Sequence, residues 1–548
     1  MSGKQKSSES EPQIVFEDVL NAEIGQFGKY QIINLLLLAL PSMSSAFMAA
    51  DYIFTAARLP HRCAVPECDG SQPIYDPPWI ENAVPTDSSG FDDCSRYASI
   101  VNITESTEDY CPAEWFDRNT TISCESYVFL KTNSVVYDFD LACKEWLRAL
   151  AGTLNSLGAM IALPLAGYIS DHFGRRVSIA FFAFNLALTG FIRSFSVNYT
   201  MYVTFQFLQT AIGGGIFSAA YILAAEIVGP KFRVLTSATM SSLFGFGQVL
   251  VGLVASAIPE WRHFSLAMST PVFLLVSYYW IVTESYRWLL SKNKQEKARA
   301  TLERAARLNG KTISDKAMDY LLTAIPNQIE SSNRKDKDEN LFFRVIQSKV
   351  MLRRCCTTPI MWITTTFIYY GLSINSVSLS GNMYINYIAV AAIEIPGFWT
   401  AVLILDRIGR RITIFGGYFL CGLCCIGFAF TPRDMRGLSM FLFLFGKYCT
   451  GLVFTSLYLY TSELYPTRHR HSFLGFSSMV GRVGSVLAPL TPPLAVYWAG
   501  IPSMLFGTMA IIAAILALTQ PETLGLNVPD TFEDAERLGK PDHSVTVL

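Results

Sequence analysis

Charge is what this chain has least of. Only 16% of its 548 residues are Asp, Glu, Lys or Arg, against about 25% in an ordinary soluble protein. The little charge present is balanced, 44 acidic against 43 basic side chains for a net of −1, so no global field directs the chain to nucleic acid. The opening segment, residues 1–14, is polar and lacks the apolar core and small-residue cleavage site of a signal peptide. No Gly-x-x-x-x-Gly-Lys-Ser/Thr loop for cradling phosphate occurs, which argues against direct use of ATP. Apolar residues take the place of charge: 51% are hydrophobic and 13% aromatic. A helix crossing a bilayer takes roughly 20 such residues. Stretches of that kind fall near 31–50, 147–169, 177–196, 201–225, 235–257 and 263–283, then near 357–376, 383–404, 412–430, 438–460, 472–494 and 500–519. Twelve spans in two groups of six are expected, an all-α membrane protein.

Two long polar segments break the pattern. Residues 52–143 hold 15 Asp/Glu against 5 Lys/Arg, and residues 285–356 hold 16 Lys/Arg against 8 Asp/Glu. One span precedes the first segment and six precede the second, so they lie on opposite faces. The positive-inside bias places the basic segment in the cytosol, and the short loops carrying Arg175/Arg176, Lys231/Arg233 and Arg407/Arg410/Arg411 fall on the same side. Both termini are then expected inside. The acidic loop carries Cys63, Cys68, Cys94, Cys111, Cys124 and Cys143, an even set in an oxidising compartment. Three disulfides are expected, with connectivity open, and sequons at Asn102 and Asn119 mark glycosylation sites on the same face.

Three signatures occur twice. Ile169-Ser170-Asp171-His172-Phe173-Gly174-Arg175-Arg176 returns as Leu405-Asp406-Arg407-Ile408-Gly409-Arg410-Arg411; Ala225-Glu226-Ile227 returns as Ser462-Glu463-Leu464; Thr283-Glu284-Ser285 returns as Pro521-Glu522-Thr523. The offsets are 235, 237 and 238 residues. Six spans have been duplicated in the same orientation, a construction that suits a transporter with its site between two halves near the midplane. The repeated charges (Asp171, Arg175, Arg176, Glu226 and Glu284; Asp406, Arg410, Arg411, Glu463 and Glu522) sit at cytosolic span ends, where they are expected to pair and latch the two bundles. The organisation expected is a cytosolic segment 1–30, a six-helix bundle 31–284 containing the loop 52–143, a cytosolic linker 285–356, a second bundle 357–522 and a cytosolic tail 523–548.

These features resemble the major facilitator superfamily, and more narrowly its organic cation/anion/carnitine transporter family. The likeness rests on Phe16-Glu17-Asp18-Val19-Leu20 with Gly25-Gln26-Phe27-Gly28-Lys29-Tyr30-Gln31, on the long loop opening at Pro60-His61-Arg62-Cys63, and on Glu284-Ser285-Tyr286-Arg287-Trp288-Leu289-Leu290. Glu394-Ile395-Pro396-Gly397, Glu463-Leu464-Tyr465-Pro466-Thr467 and Pro521-Glu522-Thr523-Leu524-Gly525 extend it over nearly the whole chain. It departs at Gln206 and Gln209-Thr210, where relatives commonly show Arg and Gln-Gly, and at Thr283 and Tyr286, which replace prolines.

Charges inside spans are costly and by default functional. Arg482 lies midway along the eleventh stretch in Gly481-Arg482-Val483-Gly484-Ser485, and a guanidinium grips carboxylates through paired hydrogen bonds. The family's anion and carnitine branches resemble this pattern, whereas its cation branch usually has Asp where Gly481 stands. Glu394 in the eighth stretch is the expected counter-charge, and Lys447 in the tenth a third intramembrane charge. The anion branch often has Lys where Phe398 stands, so Glu394 with Arg482 suggests a zwitterion or mixed-charge substrate. Tyr369 and Tyr370 resemble the family's substrate-contacting tyrosines; Trp362 lies two turns earlier, and Phe244 and Gln248 share a helix face. Cys421, Cys424 and Cys425 have metal-like spacing but no His partner nearby, so no metal or cofactor is expected. The sequence reads as a plasma-membrane secondary transporter of small organic ions, not an enzyme. It favours carboxylate-bearing zwitterions or anions (carnitine-like or β-amino-acid-like), with a polyspecific cation carrier and a non-transporting receptor as alternatives. The partners expected are the substrate, the bilayer and a coupling ion or exchange anion, with a monomeric transport unit.

Overall fold

The computed structural model describes residues 16–87, 90–101, 111–323, 341–432, 434–466, 469–526, 529 and 532–538. Among these, eleven helices are long and apolar enough to cross a membrane: Lys29–Thr55, Glu145–Phe173, Arg175–Ser194, Tyr199–Ile227, Arg233–Ala257, Trp261–Ile281, Met383–Ile408, Arg410–Phe430, Arg436–Leu464, Ser472–Leu494 and Ile501–Leu518. A twelfth, Lys349–Asn375, has 27 residues, about 40 Å at 1.5 Å per residue, which exceeds a hydrocarbon core of roughly 30 Å. It is less apolar because it is rich in threonine. Thr365 and Thr366 donate back to the carbonyls of Met361 and Trp362 at 2.9 and 3.1 Å, which satisfies their hydroxyls within the helix. In chain order this helix is the seventh span; the others are numbered to match.

Several spans are not continuous α-helix; the sixth and eleventh pass through 3-10 stretches at Thr270–Ser277 and Ala488–Leu490. The fourth is interrupted between Gly213 and Ile216, and the eighth between Ala392 and Glu394. Close glycine packing brings the spans of each half together. A Cβ on Gly397 of the eighth span would stand 2.7 Å from the carbonyl oxygen of Tyr448 in the tenth, and one on Gly213 would stand 2.8 Å from Cα of Leu186. Backbones that approach this closely gain dispersion contact that lipid tails cannot match.

The polar segment between the first two spans is folded. Short antiparallel strands pair His61–Cys63 with Tyr127–Phe129, and Ser95–Ser99 with Phe116–Ser123. The disulfides are Cys63–Cys124, Cys68–Cys111 and Cys94–Cys143, one of the connectivities the sequence left open. Arg62 is wholly buried here, paired with Asp69 at 2.6 Å. Asn119 lies exposed on the strand Phe116–Ser123; Asn102 lies outside the described residues.

The basic segment divides its allegiance. Gln295–Leu308 and the turn after it dock on the first half, where Asn309 Oδ1 accepts the Tyr30 backbone N–H at 2.9 Å. Leu341–Gln347 belongs to the second half. The tail contributes a helix, Phe532–Arg537, held by Arg354, whose guanidinium donates to the carbonyls of Leu464 and Ala535 at 3.3 and 2.7 Å.

The end of the molecule bearing the large loop is sealed between halves. Phe54 of the first span stacks on Tyr384 (centroids 5.7 Å apart) and meets Tyr387 edge-on at 4.9 Å, both on the eighth span. One hydrophobic cluster there mixes residues of both halves, including Phe54, Val251, Tyr387 and Phe506. Toward the other end each half has a cluster of its own, one ending at Leu322 and one beginning at Met351.

Gly484 of the eleventh span sits at a tight crossing, with a Cβ placed only 2.1 Å from the carbonyl oxygen of Ile363 in the seventh. Gly484→Val is expected to cost about 1–3 kcal/mol through overpacking, read as a lowered melting midpoint of the detergent-solubilised protein. Gly416→Ala, at a position with open space, should leave that midpoint unchanged.

Candidate functional site

The duplicated motifs build the same object twice. Gly174 and Gly409 each end a span with φ of +106° and +104°, a conformation that costs a side-chain-bearing residue, and each opens the next helix. The carboxylate of Glu284 accepts the backbone N–H groups of Arg175 and Arg176 at 2.9 and 3.3 Å; that of Glu522 accepts those of Arg410 and Arg411 at 2.8 and 3.0 Å. Each glutamate thus caps a helix N-terminus whose amides would otherwise lack partners. Burial pushes the Glu284 carboxyl above its ordinary range, opposed by those same amides. Arg175 pairs with Asp171 at 2.7 Å and Glu226 at 2.9 Å; Arg410 pairs with Asp406 at 3.0 Å and Glu463 at 3.1 Å. Every one of these contacts stays inside one half. With the loop end sealed, none of these contacts crosses between the two bundles in this conformation. The helix ends that carry each motif belong to one bundle, and each cluster braces that bundle.

Between the halves lies a cavity of about 310 Å³, lined by the first, second, fourth and fifth spans on one side and the seventh, eighth, tenth and eleventh on the other. That is at the small end of ligand pockets, which run from about 300 to 1,000 Å³. Aromatic rings dominate its walls: Tyr52, Phe217, Tyr221 and Phe244 from the first half, and Tyr369, Tyr370, Phe398, Phe454 and Tyr458 from the second. Among the described residues Arg482 is the one charged side chain lining it. Arg482 is half-buried, and its Nη1 donates to Tyr370 Oη at 3.1 Å. No carboxylate pairs with it among the described residues.

Glu394 and Lys447 do not line the cavity. They form an ion pair at 2.8 Å, both fully buried behind Tyr369. Lys447 Nζ also donates to the Tyr369 carbonyl and to Ser373 Oγ, each at 2.7 Å, and sits 3.7 Å from the Tyr369 ring centroid. Tyr369 Oη donates to Glu394 Oε2 at 2.5 Å and accepts from Gln248 Nε2 of the first half at 3.2 Å. Glu394 is thus the counter-charge of Lys447, not of Arg482. The eighth and tenth spans pack closely through Gly397 and Gly451, one turn from the pair, which lets the two side chains meet. Of the residues singled out by sequence, Arg482, Tyr369, Tyr370 and Phe244 line the cavity; Glu394, Lys447, Gln248 and Trp362 stand behind its wall. Trp362 donates to Thr461 Oγ1 at 3.1 Å and packs edge-on against Tyr458 at 4.5 Å.

A second buried ion pair escaped the sequence reading. Asp51 of the first span and Arg193 of the third meet at 2.6 Å, with Gln206 and Asn155 attached. Both are charges within or at the edge of apolar stretches, the same signal that drew attention to Arg482.

The model of the family described as "Major Facilitator Superfamily" matches residues 146–489 and 398–534. Similar curated proteins include the "Organic cation transporter protein" of Drosophila melanogaster, 31% identical over 541 residues, covering 96% of this chain and 95% of that one. "Organic anion transporter 3" of Rattus norvegicus is 31% identical over 536 residues, covering 96% of each. "Solute carrier family 22 member 3" of Mus musculus is 30% identical over 537 residues, covering 94% of each. In fold, the chain resembles the proton:xylose symporter XylE with a TM-score of 0.60 at 16% identity, covering 93% of this chain and 99% of that one. Repeat, fold and relatives agree: the chain belongs to the major facilitator superfamily of membrane transporters and, within it, to solute carrier family 22.

Proposed function

We propose that the protein is a secondary transporter of small organic ions that favours carboxylate-bearing anions, moving them by alternating access between its two six-helix halves. The observation that carries the reading is the isolation of Arg482, the one charge lining the cavity among the described residues, which lacks a carboxylate partner. A guanidinium in a poorly hydrated pocket attracts a carboxylate more strongly than it would in water. The sequence pointed to a zwitterion because Glu394 was read as a second site charge; its pairing with Lys447 shifts the balance toward simple anions. Zwitterions of the carnitine or β-amino-acid kind keep one supporting feature, the ring faces of Tyr369, Tyr370 and Phe454, which attract an ammonium group. The pairing of Glu394 with Lys447 leaves a cation only the ring faces to bind, so it weighs toward an anion. The sealed loop end, with a cavity reaching past mid-depth to Ile222 and Ser237, fits one state of a rocking carrier better than a static receptor.

We place the loop-bearing end outside the plasma membrane and both termini in the cytosol. The charge asymmetry of the two long segments and the three disulfides of the acidic one support this orientation.

Three measurements test these readings. Arg482→Ala should lower carboxylate uptake about 10- to 100-fold at equal surface expression, since a hydrogen bond to a charged group contributes about 1.5–3 kcal/mol; unchanged uptake would remove Arg482 from the site. Glu394→Gln should destabilise the protein by about 3–5 kcal/mol by leaving Lys447 buried and unpaired, seen as lost monodisperse material on size-exclusion chromatography. The double variant Glu394→Gln/Lys447→Met should recover much of it. Asn119→Gln should remove one deglycosylation-sensitive mobility step from the cell-surface form, and an unchanged pattern would count against the outward placement of that strand.

A further inference from the structure

The Asp51–Arg193 pair has no part in the transport reading so far, and its surroundings are unusually directional. Gln206 of the fourth span lies across the pair. Arg193 Nη1 donates to Gln206 Oε1, while Gln206 Nε2 donates to Asp51 Oδ1 at 3.0 Å and to Asn155 Oδ1 of the second span at 2.9 Å. A guanidinium carries only donors and a carboxylate only acceptors. Held between them, the Gln206 amide has one satisfactory orientation, oxygen toward Arg193 and NH₂ toward Asp51. That NH₂ can only donate, so it in turn selects the oxygen of Asn155. Polarity is thus passed through two amides, and Asn155 Nδ2 is left without a hydrogen bond among the described residues.

Asn155 lines the same cavity as Arg482. The second and eleventh spans run in opposite directions and touch where a Cβ on Gly152 would fall 2.8 Å from Pro489 Cβ. One turn along each from that contact brings Asn155 and Ser156 to the level of Ser485, and Arg482 follows within the next turn. All four line the cavity.

We propose that Asn155 Nδ2 is a second donor to the anionic group of the substrate, contributed by the first half, and that Asp51, Arg193 and Gln206 are positioning residues that fix its polarity. The inference rests on the anion reading. A carboxylate held by Arg482 from one half and Asn155 from the other joins the two bundles through the substrate. The network also makes the first-half wall donor-rich without placing a charge on it, which favours anions over cations of equal size.

The test is uptake of radiolabelled benzoate and of phenyltrimethylammonium, a cation of similar shape, by cells expressing the full chain with surface protein quantified. Asn155→Asp, the same size but acceptor-only, should raise the KM for benzoate by about 10-fold or more, as loss of a charge-assisted hydrogen bond requires, and shift the benzoate-to-cation ratio toward the cation. Should that variant not reach the surface, Asn155→Leu reads the same KM. Gln206→Leu frees the Asn155 amide to turn over and should raise the KM by about 3-fold with maximal uptake per surface molecule retained. A purely structural network would instead lower surface level or maximal uptake, leaving KM and the selectivity ratio fixed, and that result overturns the proposal. Arg482→Ala separates the two claims. If it abolishes benzoate uptake while Asn155→Asp and Asn155→Leu are neutral, only the Asn155 role falls. If it has no effect, or if surface-expressed wild type takes up no benzoate, the anion reading falls and this inference with it.

Discussion

A charge held in hydrocarbon must find an opposite charge or leave the membrane, and most of this molecule can be understood as obeying that constraint. Placing one ionised side chain at the centre of a helix in the bilayer costs about 2.5–3.5 kcal/mol even on the mildest scale. Among the charges the spans nonetheless contain, away from the ends that carry the repeated motifs and the tail contacts, are Asp51, Arg193, Glu394, Lys447 and Arg482. Four of the five are resolved into two fully buried pairs, Asp51–Arg193 and Glu394–Lys447, with side chains at most 2% exposed. Each pair lies inside one half, behind the wall of the cavity, and each is wired to a lining residue, Asn155 in the first half and Tyr369 in the second. The fifth charge is left over. Its placement at the cavity, with only a tyrosine hydroxyl bound to it among the described residues, is what gives the cavity a sign.

The duplication explains what is shared between the halves and what is not. At the end away from the large loop, both halves repeat the same glycine turn, the same glutamate cap and the same arginine held between two acids. Those groups meet the demands of helix termini, which are identical in the two halves. At mid-depth the halves have diverged. Displaced by the repeat offset of 235–238 residues, Glu394 and Lys447 correspond to positions near Gly158 and Thr210, which are neutral and in direct contact: a Cβ on Gly158 would fall 2.1 Å from Thr210 Oγ1. The same crossing of helices is closed by a small-residue contact in one half and by an ion pair in the other. The two halves share their caps, and each wires its own buried pair to the cavity in a different way.

How legible this was depended on whether a feature is local. The twelve spans follow from apolar runs of bilayer length, and the repeat follows from matching motifs. The seventh span was readable in the same way, as the apolar stretch near 357–376. Pairing was not legible. Glu394, Lys447 and Arg482 were all visible as intramembrane charges, yet which of them neutralise one another depends on the close approach of the eighth and tenth spans at Gly397 and Gly451, a tertiary fact. The repeated charges at the other end were legible as partners, and in this conformation their clusters close within each bundle. Asp51 and Arg193 were missed for a simpler reason. Asp51 stands just past the apolar run 31–50 and Arg193 inside the run 177–196, where a single charge does not disturb the average. Disulfide connectivity was open because six cysteines carry no pairing information until the strands Ser95–Ser99 and Phe116–Ser123 bring their neighbours together.

The unpaired arginine also bears on how binding and rocking would be linked. Closing an empty cavity around Arg482 removes water from a lone cation, and the desolvation penalty for an uncompensated buried charge is several kcal/mol. Closing it around Arg482 with a bound carboxylate removes water from a neutral pair that also holds Tyr370 and, on the reading above, Asn155. The loaded carrier is then easier to occlude than the empty one. A ligand shifts a conformational equilibrium only by its differential affinity for the two states, and charge neutralisation supplies that difference here without a dedicated mechanical link. A neutral molecule filling the same rings would gain apolar contact but leave the penalty standing. Selection for an anion and permission to close would on this account be one electrostatic event, centred on the charge that the rest of the membrane domain leaves unmatched.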